Sequence, residues 1–137
     1  MSQDADIDVV RTAYAAISER DSSALATVTD PNMVLDFSRS IGLEKGIYRG
    51  REGIARFMAA NEEAFERFEF WPIEFALGAR GHIVTRHRIR AKARGTGIEF
   101  DRVPDVALVW ELRHGKVIRA TLYQGRSDAR DAVGLRE

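Results

Sequence analysis

Ile83-Val-Thr-Arg-His-Arg-Ile-Arg-Ala-Lys-Ala-Arg94 decides the fold, because its two parities carry different chemistry. Ile83, Thr85, His87, Ile89, Ala91 and Ala93 share one parity, whereas Arg86, Arg88, Arg90, Lys92 and Arg94 share the other. Successive side chains of a strand point to opposite faces, so only the first set can line a core. The stretch therefore predicts a long strand with one apolar and one basic face. Strand-like segments flank it at residues 69–77, 98–112 and 116–123. The breaks at Gly78-Ala-Arg-Gly81 and Gly95-Thr-Gly97 are short and glycine-bearing, as hairpin connections are. Strands joined through such turns pair antiparallel.

Working outward, the N-terminal half turns helical. Val10, Ala13, Tyr14 and Ile17 recur at helical spacing within residues 5–20, and Asp21 caps a short second helix that ends at Asp30-Pro31. Met33-Val-Leu-Asp-Phe37 reads as a first strand, and residues 38–50, with three glycines, read as a loop able to act as a lid. Residues 51–68 form a third helical pattern, with Ile54, Phe57, Met58, Asn61, Phe65 and Phe68 on one stripe; residues 127–133 read as a short closing helix. Together these predict one α+β domain over residues 1–137. It is a curved, mixed but mostly antiparallel sheet with about three helices in the N-terminal half, the helices on one face, enclosing an apolar pocket.

Composition narrows the partners. A chain of 137 residues with 45% apolar and 31% charged residues supports one core. Lys plus Arg and Asp plus Glu balance at 21 each, so no bulk positive field draws in nucleic acid. Glu69, Glu99, Asp101 and Glu111 on flanking strands are expected to pair with the basic row. The absence of cysteine excludes a disulfide framework and a thiol nucleophile. His82, His87 and His114 fall on separate elements, so no metal is expected. The chain lacks βαβ alternation, a glycine-rich fingerprint and a Gly-x-Ser-x-Gly motif, so no organic cofactor is expected either. An acidic start without signal-peptide character, and no apolar run of roughly eighteen residues, predict a cytoplasmic protein that does not enter a membrane.

Four fragments, in matching order, carry a family resemblance: Ala13-Tyr-Ala-Ala-Ile17 followed by Asp21, Tyr48-Arg-Gly-Arg-Glu-Gly-Ile-Ala-Arg-Phe57, Val109-Trp-Glu-Leu-Arg-His-Gly-Lys-Val117, and residues 129–135. They resemble the SnoaL-like branch of the nuclear-transport-factor-2-like superfamily. The resemblance implies a cone-shaped, cystatin-like fold and a homodimer formed through the sheet face. It does not imply one reaction, since relatives include polyketide cyclases, ketosteroid isomerase, limonene-epoxide hydrolase, scytalone dehydratase and proteins without known activity.

Several residues could carry chemistry. Asp36 lies where the resemblance implies the proton-shuttling aspartate of ketosteroid isomerase, and an apolar cavity would raise its pKa toward general-base use. The alternative is a strand-end carboxylate that caps the following loop. His87 could relay a proton or orient a ligand carbonyl, or it could be a core histidine bonded to backbone or tyrosine. Tyr14, Phe57, Asn61, Trp71, Trp110 and Tyr123 are expected to wall the pocket, and both tyrosine hydroxyls could donate to a ligand oxygen. Tyr14 lies near the position of the oxyanion-stabilising tyrosine of ketosteroid isomerase. One departure counts against the family's chemistry: Gly125 stands where cyclases and epoxide hydrolases carry an aspartate. Two functions follow. The protein is an isomerase, cyclase or hydrolase using general acid–base chemistry on a small apolar, oxygen-bearing molecule, or it is a non-catalytic binding module with the same pocket.

Overall fold

In the computed structural model, which describes residues 3–42 and 44–134, helices α1 (Gln3–Ser18) and α2 (Ser22–Thr27) lead into strands β1 (Thr29–Asp36) and β2 (Ile47–Arg49). Helix α3 (Gly50–Ala64) follows, then β3 (Phe65–Leu77), β4 (Ile83–Ala93), β5 (Glu99–Arg102), β6 (Val106–Arg113) and β7 (Lys116–Gln124), before α4 (Arg126–Ala132). The strands form one sheet in the order β2-β1-β7-β6-β4-β3, with β5 beside the far half of β4. Every pair is antiparallel except β1 with β7. This is the expected α+β, mostly antiparallel architecture. Met1, Ser2 and Leu135, which the sequence reading also used, lie outside the described residues.

Alternation along each strand sorts the side chains between two faces. Met33 and Leu35 of β1, Ile83 and Thr85 of β4, Leu108 and Trp110 of β6, and Ala120 and Leu122 of β7 are buried on the inner face. There they meet Val10, Ala13, Tyr14 and Ile17 of α1 and Ile54, Phe57 and Met58 of α3. Ser18 pins α1 to β3, its hydroxyl donating to the Phe70 carbonyl at 3.0 Å and accepting the Phe70 N–H at 2.9 Å. At the start of α3, a Cβ on Gly53 would sit 2.6 Å from the Tyr48 carbonyl carbon, so this close contact between helix and β2 admits only glycine.

The expectation that the helices share one face is corrected by α4. Its Ala129 and the following Val133 pack with Val84, Ala107 and Val109 in a second small cluster on the outer face. Three segment boundaries also move. The loop over residues 38–50 contains β2, and residues 98–112 divide into two strands around Val103-Pro104-Asp105, where proline supplies no N–H to a ladder. Helix α3 stops at Ala64, and Phe65 is already extended. A bulge between Phe65 and Arg67 inserts one residue, so Phe65 pairs with Ala93 and Phe68 with Ala91 on the same face. Two strand residues three apart thereby imitate a helical stripe.

The basic row of β4 is partly neutralised, though not by all the expected partners. Arg88 reaches Asp101 at 2.6 Å, while Lys92 uses Glu66 at 3.5 Å and Arg86 uses Glu74 at 3.8 Å. Glu99 pairs with Arg67, and Glu111 with His82 and Arg119. No described helix is long and apolar enough to cross a membrane.

Candidate functional site

A cavity of about 490 Å³ opens between the inner face of the sheet, α3 and the loop after β1. Six phenylalanines line it: Phe37, Phe57, Phe65, Phe68, Phe70 and Phe100. Ile41, Arg102 and Asp105, also in the lining, are exposed and mark its solvent end. Asn61 and His87 border it as buried polar groups, 5% and 3% exposed.

His87 is placed by the alternation of β4 and by its ring neighbours. Its imidazole meets Phe70 edge-on at 5.0 Å and Tyr14 at 5.7 Å between centroids. His87 Nδ1 lies 3.0 Å from the Tyr14 hydroxyl, which lies 2.7 Å from Thr85 Oγ1, and Trp110 Nε1 donates to that same oxygen at 2.8 Å. His87 Nε2 has no protein partner among the described residues. Burial, assisted by the neighbouring Arg86 guanidinium, pushes the imidazole down to about 4, so it is neutral at pH 7. Burial likewise pushes the Tyr14 hydroxyl above its ordinary range, against the hydrogen bond with Thr85 and the nearby indole N–H of Trp110, and keeps it protonated.

Asn61, on the buried stripe of α3, accepts at Oδ1 from Arg20 Nε at 3.2 Å. The same guanidinium donates to the Phe65 carbonyl at 2.6 Å, tying the end of α1 to the start of β3.

The cavity thus gathers Phe57, Asn61 and His87 of the expected residues, with Tyr14 and Trp110 directly behind His87 rather than in the wall. Three others lie elsewhere. Asp36 is corrected to the outer face, because Met33 and Leu35 take the inner parity of β1. Its Oδ1 accepts the Ser38 hydroxyl at 2.6 Å and the Ser38 N–H at 3.1 Å, and Arg119 donates to Oδ2 at 2.8 Å. Burial pushes its carboxyl up, but the Ser38 bonds and the Arg119 and Arg39 charges outweigh it and hold it below the usual range. This is a loop-capping, ion-paired carboxylate, the opposite of a general base. Tyr123 is also on the outer face, under the Arg39 guanidinium at 4.7 Å, since Leu122 takes the inner parity of β7. Trp71 pairs with Arg88 on the outer face and is 39% exposed, its neighbour Phe70 having turned inward. Asp36 and Tyr123 share a smaller outer depression of about 130 Å³ with His82, Glu111 and Arg119.

Gly125 has φ of +94° at the turn into α4, a conformation that disfavours an aspartate there. Thr85, Arg20 and five of the six phenylalanines escaped the sequence reading as site residues. Thr85 had a usable signal, a hydroxyl on an otherwise apolar parity; Arg20 had none. Among the described residues, no three His, Asp or Glu side chains cluster closely enough for a metal ion.

A family model described as a SnoaL-like domain matches residues 10–120. Solved structures give the same shape at low identity. An NTF2-like protein of unknown function from Burkholderia pseudomallei is 19% identical, with 97% of this chain and 98% of that one covered and a TM-score of 0.72. A protein with a ketosteroid isomerase-like fold from Catenulispora acidiphila, in complex with trimethylamine, is 17% identical over 93% of both chains, with a TM-score of 0.71. TerC, co-crystallised with polyporic acid, is 19% identical over 95% of this chain and 98% of its own, with a TM-score of 0.72. No curated protein matches the chain.

Proposed function

The chain belongs to the SnoaL-like domain family, and from that premise we propose that its aromatic cavity binds one small apolar molecule bearing an oxygen acceptor. The observation that carries this is a cavity of about 490 Å³ walled by six phenylalanines, with neutral His87, Asn61 and Ser40 as its buried polar points, the Ser40 hydroxyl already donating to Glu44. The volume falls within the range of roughly 300–1,000 Å³ typical of small-molecule sites. Complexes of relatives with trimethylamine and with polyporic acid support a small-molecule role. The binding needs no organic cofactor.

A second reading, general acid–base catalysis of isomerase, cyclase or hydrolase type, is favoured by one observation. The cavity lining holds His87 with a free Nε2 together with the exposed carboxylate of Asp105. Asp36, facing away, has no part in either reading.

The test is a panel of steroid-like, terpene-like and polyketide-like ligands titrated into the native chain, Asn61→Leu and Asp36→Asn. Asn61→Leu is expected to weaken binding about tenfold, the cost of losing one buried hydrogen bond, with Asp36→Asn unchanged. A panel that fails to bind below about 1 mM rejects the binding reading. Turnover of a bound ligand that Asp105→Asn leaves intact removes Asp105 from the second.

The family premise also supports a homodimer through the outer sheet face. There α4 covers the region over β6 and β7, while Trp71 and Ile73 of β3 stay 39% and 49% exposed. Light scattering at micromolar concentration is expected to give a dimer that Trp71→Glu dissociates. A monomeric native chain overturns this assignment.

A further inference from the structure

We propose that Trp110, Thr85 and Tyr14 form a relay that fixes His87 as a hydrogen-bond donor and thereby makes the inner end of the cavity selective for acceptor groups. The inference rests on the ligand-binding reading above and names what the ligand must present.

The direction follows from counting protons. An indole N–H only donates, so Trp110 Nε1 gives its proton to Thr85 Oγ1 at 2.8 Å. The other partner of Thr85 Oγ1 is the Tyr14 hydroxyl at 2.7 Å, and no further acceptor for the threonine proton exists among the described residues. Thr85 therefore donates to Tyr14, and Tyr14 donates to His87 Nδ1 at 3.0 Å. With Nδ1 accepting, the proton of the neutral ring sits on Nε2, the nitrogen without a protein partner. The reverse order would send Nδ1–H to Tyr14 and Tyr14 to Thr85, leaving the threonine proton buried and unsatisfied. That penalty favours the first arrangement about tenfold or more.

Asn61 is fixed by the same logic. Arg20 can only donate, so the amide turns Oδ1 toward it and leaves its NH₂ group without a protein partner at the cavity. Both inner polar points thus offer N–H. A ketone, quinone-type carbonyl or phenolate oxygen satisfies them; an ammonium or amide N–H does not. Thr85, Trp110 and Tyr14 are positioning residues, acting through His87.

The relay is read without any ligand, by long-range ¹H–¹⁵N correlation of the His87 ring at pH 7. The native chain is expected to show an unprotonated Nδ1 and a protonated Nε2, in about tenfold excess over the other tautomer. Thr85→Val frees Tyr14 to accept and should reduce the excess to about threefold or less, with Thr85→Ser restoring it; Tyr14→Phe, which removes the donor to Nδ1, serves if Thr85→Val fails to fold. A native Nδ1–H overturns the relay. Selectivity is read with an isosteric pair, 2-acetylnaphthalene and 2-isopropenylnaphthalene, by titration calorimetry. The ketone should bind about tenfold tighter to the native chain, keep most of that advantage in Thr85→Val, where the Nε2–H form is still well populated, and lose most of it in His87→Phe, which removes the donor. Equal affinities with the expected tautomer overturn the selectivity alone. Failure of both probes to bind overturns the ligand reading and the selectivity with it, while the relay stands on its spectrum.

Discussion

In the dissociated single chain, Trp110→Ala is expected to lower the free energy of unfolding by about 3–5 kcal/mol, whereas Trp71→Ala costs less than about 1 kcal/mol. The same residue type sits in opposite environments. Trp110 is 2% exposed, packs its ring at a tilt against Tyr14 with centroids 5.5 Å apart and donates to Thr85, so its removal empties a large volume at the centre of the inner face. It also leaves Thr85 with one fewer partner in a buried network. Trp71 lies 39% exposed on a sheet edge, where solvent already wets the indole. Urea denaturation of the two variants at pH 7 checks the contrast. Equal losses would mean that Trp71 is covered as deeply as Trp110, by a partner chain or otherwise. Running the measurement below the dissociation concentration of any dimer separates those cases.

The second large effect is a loss of stability on acidification. His87 titrates near 4 in the folded chain and near 6.5 when unfolded. Its folded pKa is depressed, so the unfolded chain binds the proton more readily throughout the interval between those values. Stability carried by neutral His87 is therefore complete above about pH 6.5 and falls as pH drops, by about 2 kcal/mol at pH 5 and about 3 kcal/mol at pH 4. His87→Leu should flatten this portion of the profile, because both chains share every other titrating group. Superimposable profiles for the two chains between pH 7 and pH 5 would show that the buried ring is already charged or already solvated. Asp36 works in the opposite sense at lower pH: its depressed carboxyl contributes stability above the ordinary aspartate range and loses it as pH falls through the folded value.

What could be read from the chain beforehand was mostly parity. The alternation of β4 put His87 and Thr85 on the inner face and the arginines outside, as found. The same rule already told against Asp36, which opposes Met33, Leu35 and Phe37 in its own strand; a family position outweighed that local signal. Adjacent aromatic residues gave parity nothing to choose between, so Trp71 was expected inside when Phe70 had taken that place. The bulge at residues 65–67 defeated period counting outright, since it lends a strand the three-residue spacing of a helix. Arg20 was illegible for a different reason. It meets Asn61 across 41 positions only because the chain turns at the end of α1, where Arg20 itself has φ of +55°. Polar networks of that kind depend on tertiary distances that no local pattern encodes.

The parallel seam between β1 and β7 has a consequence for how the molecule comes into being. It joins strands from opposite ends of the chain, with Asp36 and Arg119 bonded across 83 intervening steps of sequence. Closing so long a loop is entropically unfavourable until other contacts hold the ends near each other, and such non-local pairings slow folding. During synthesis β1 and α3 emerge well before β7, the strand that completes their side of the sheet. The phenylalanine wall therefore waits without its final neighbour while about eighty further residues are added, and the interval before β7 docks is when this domain is most exposed to aggregation and proteolysis.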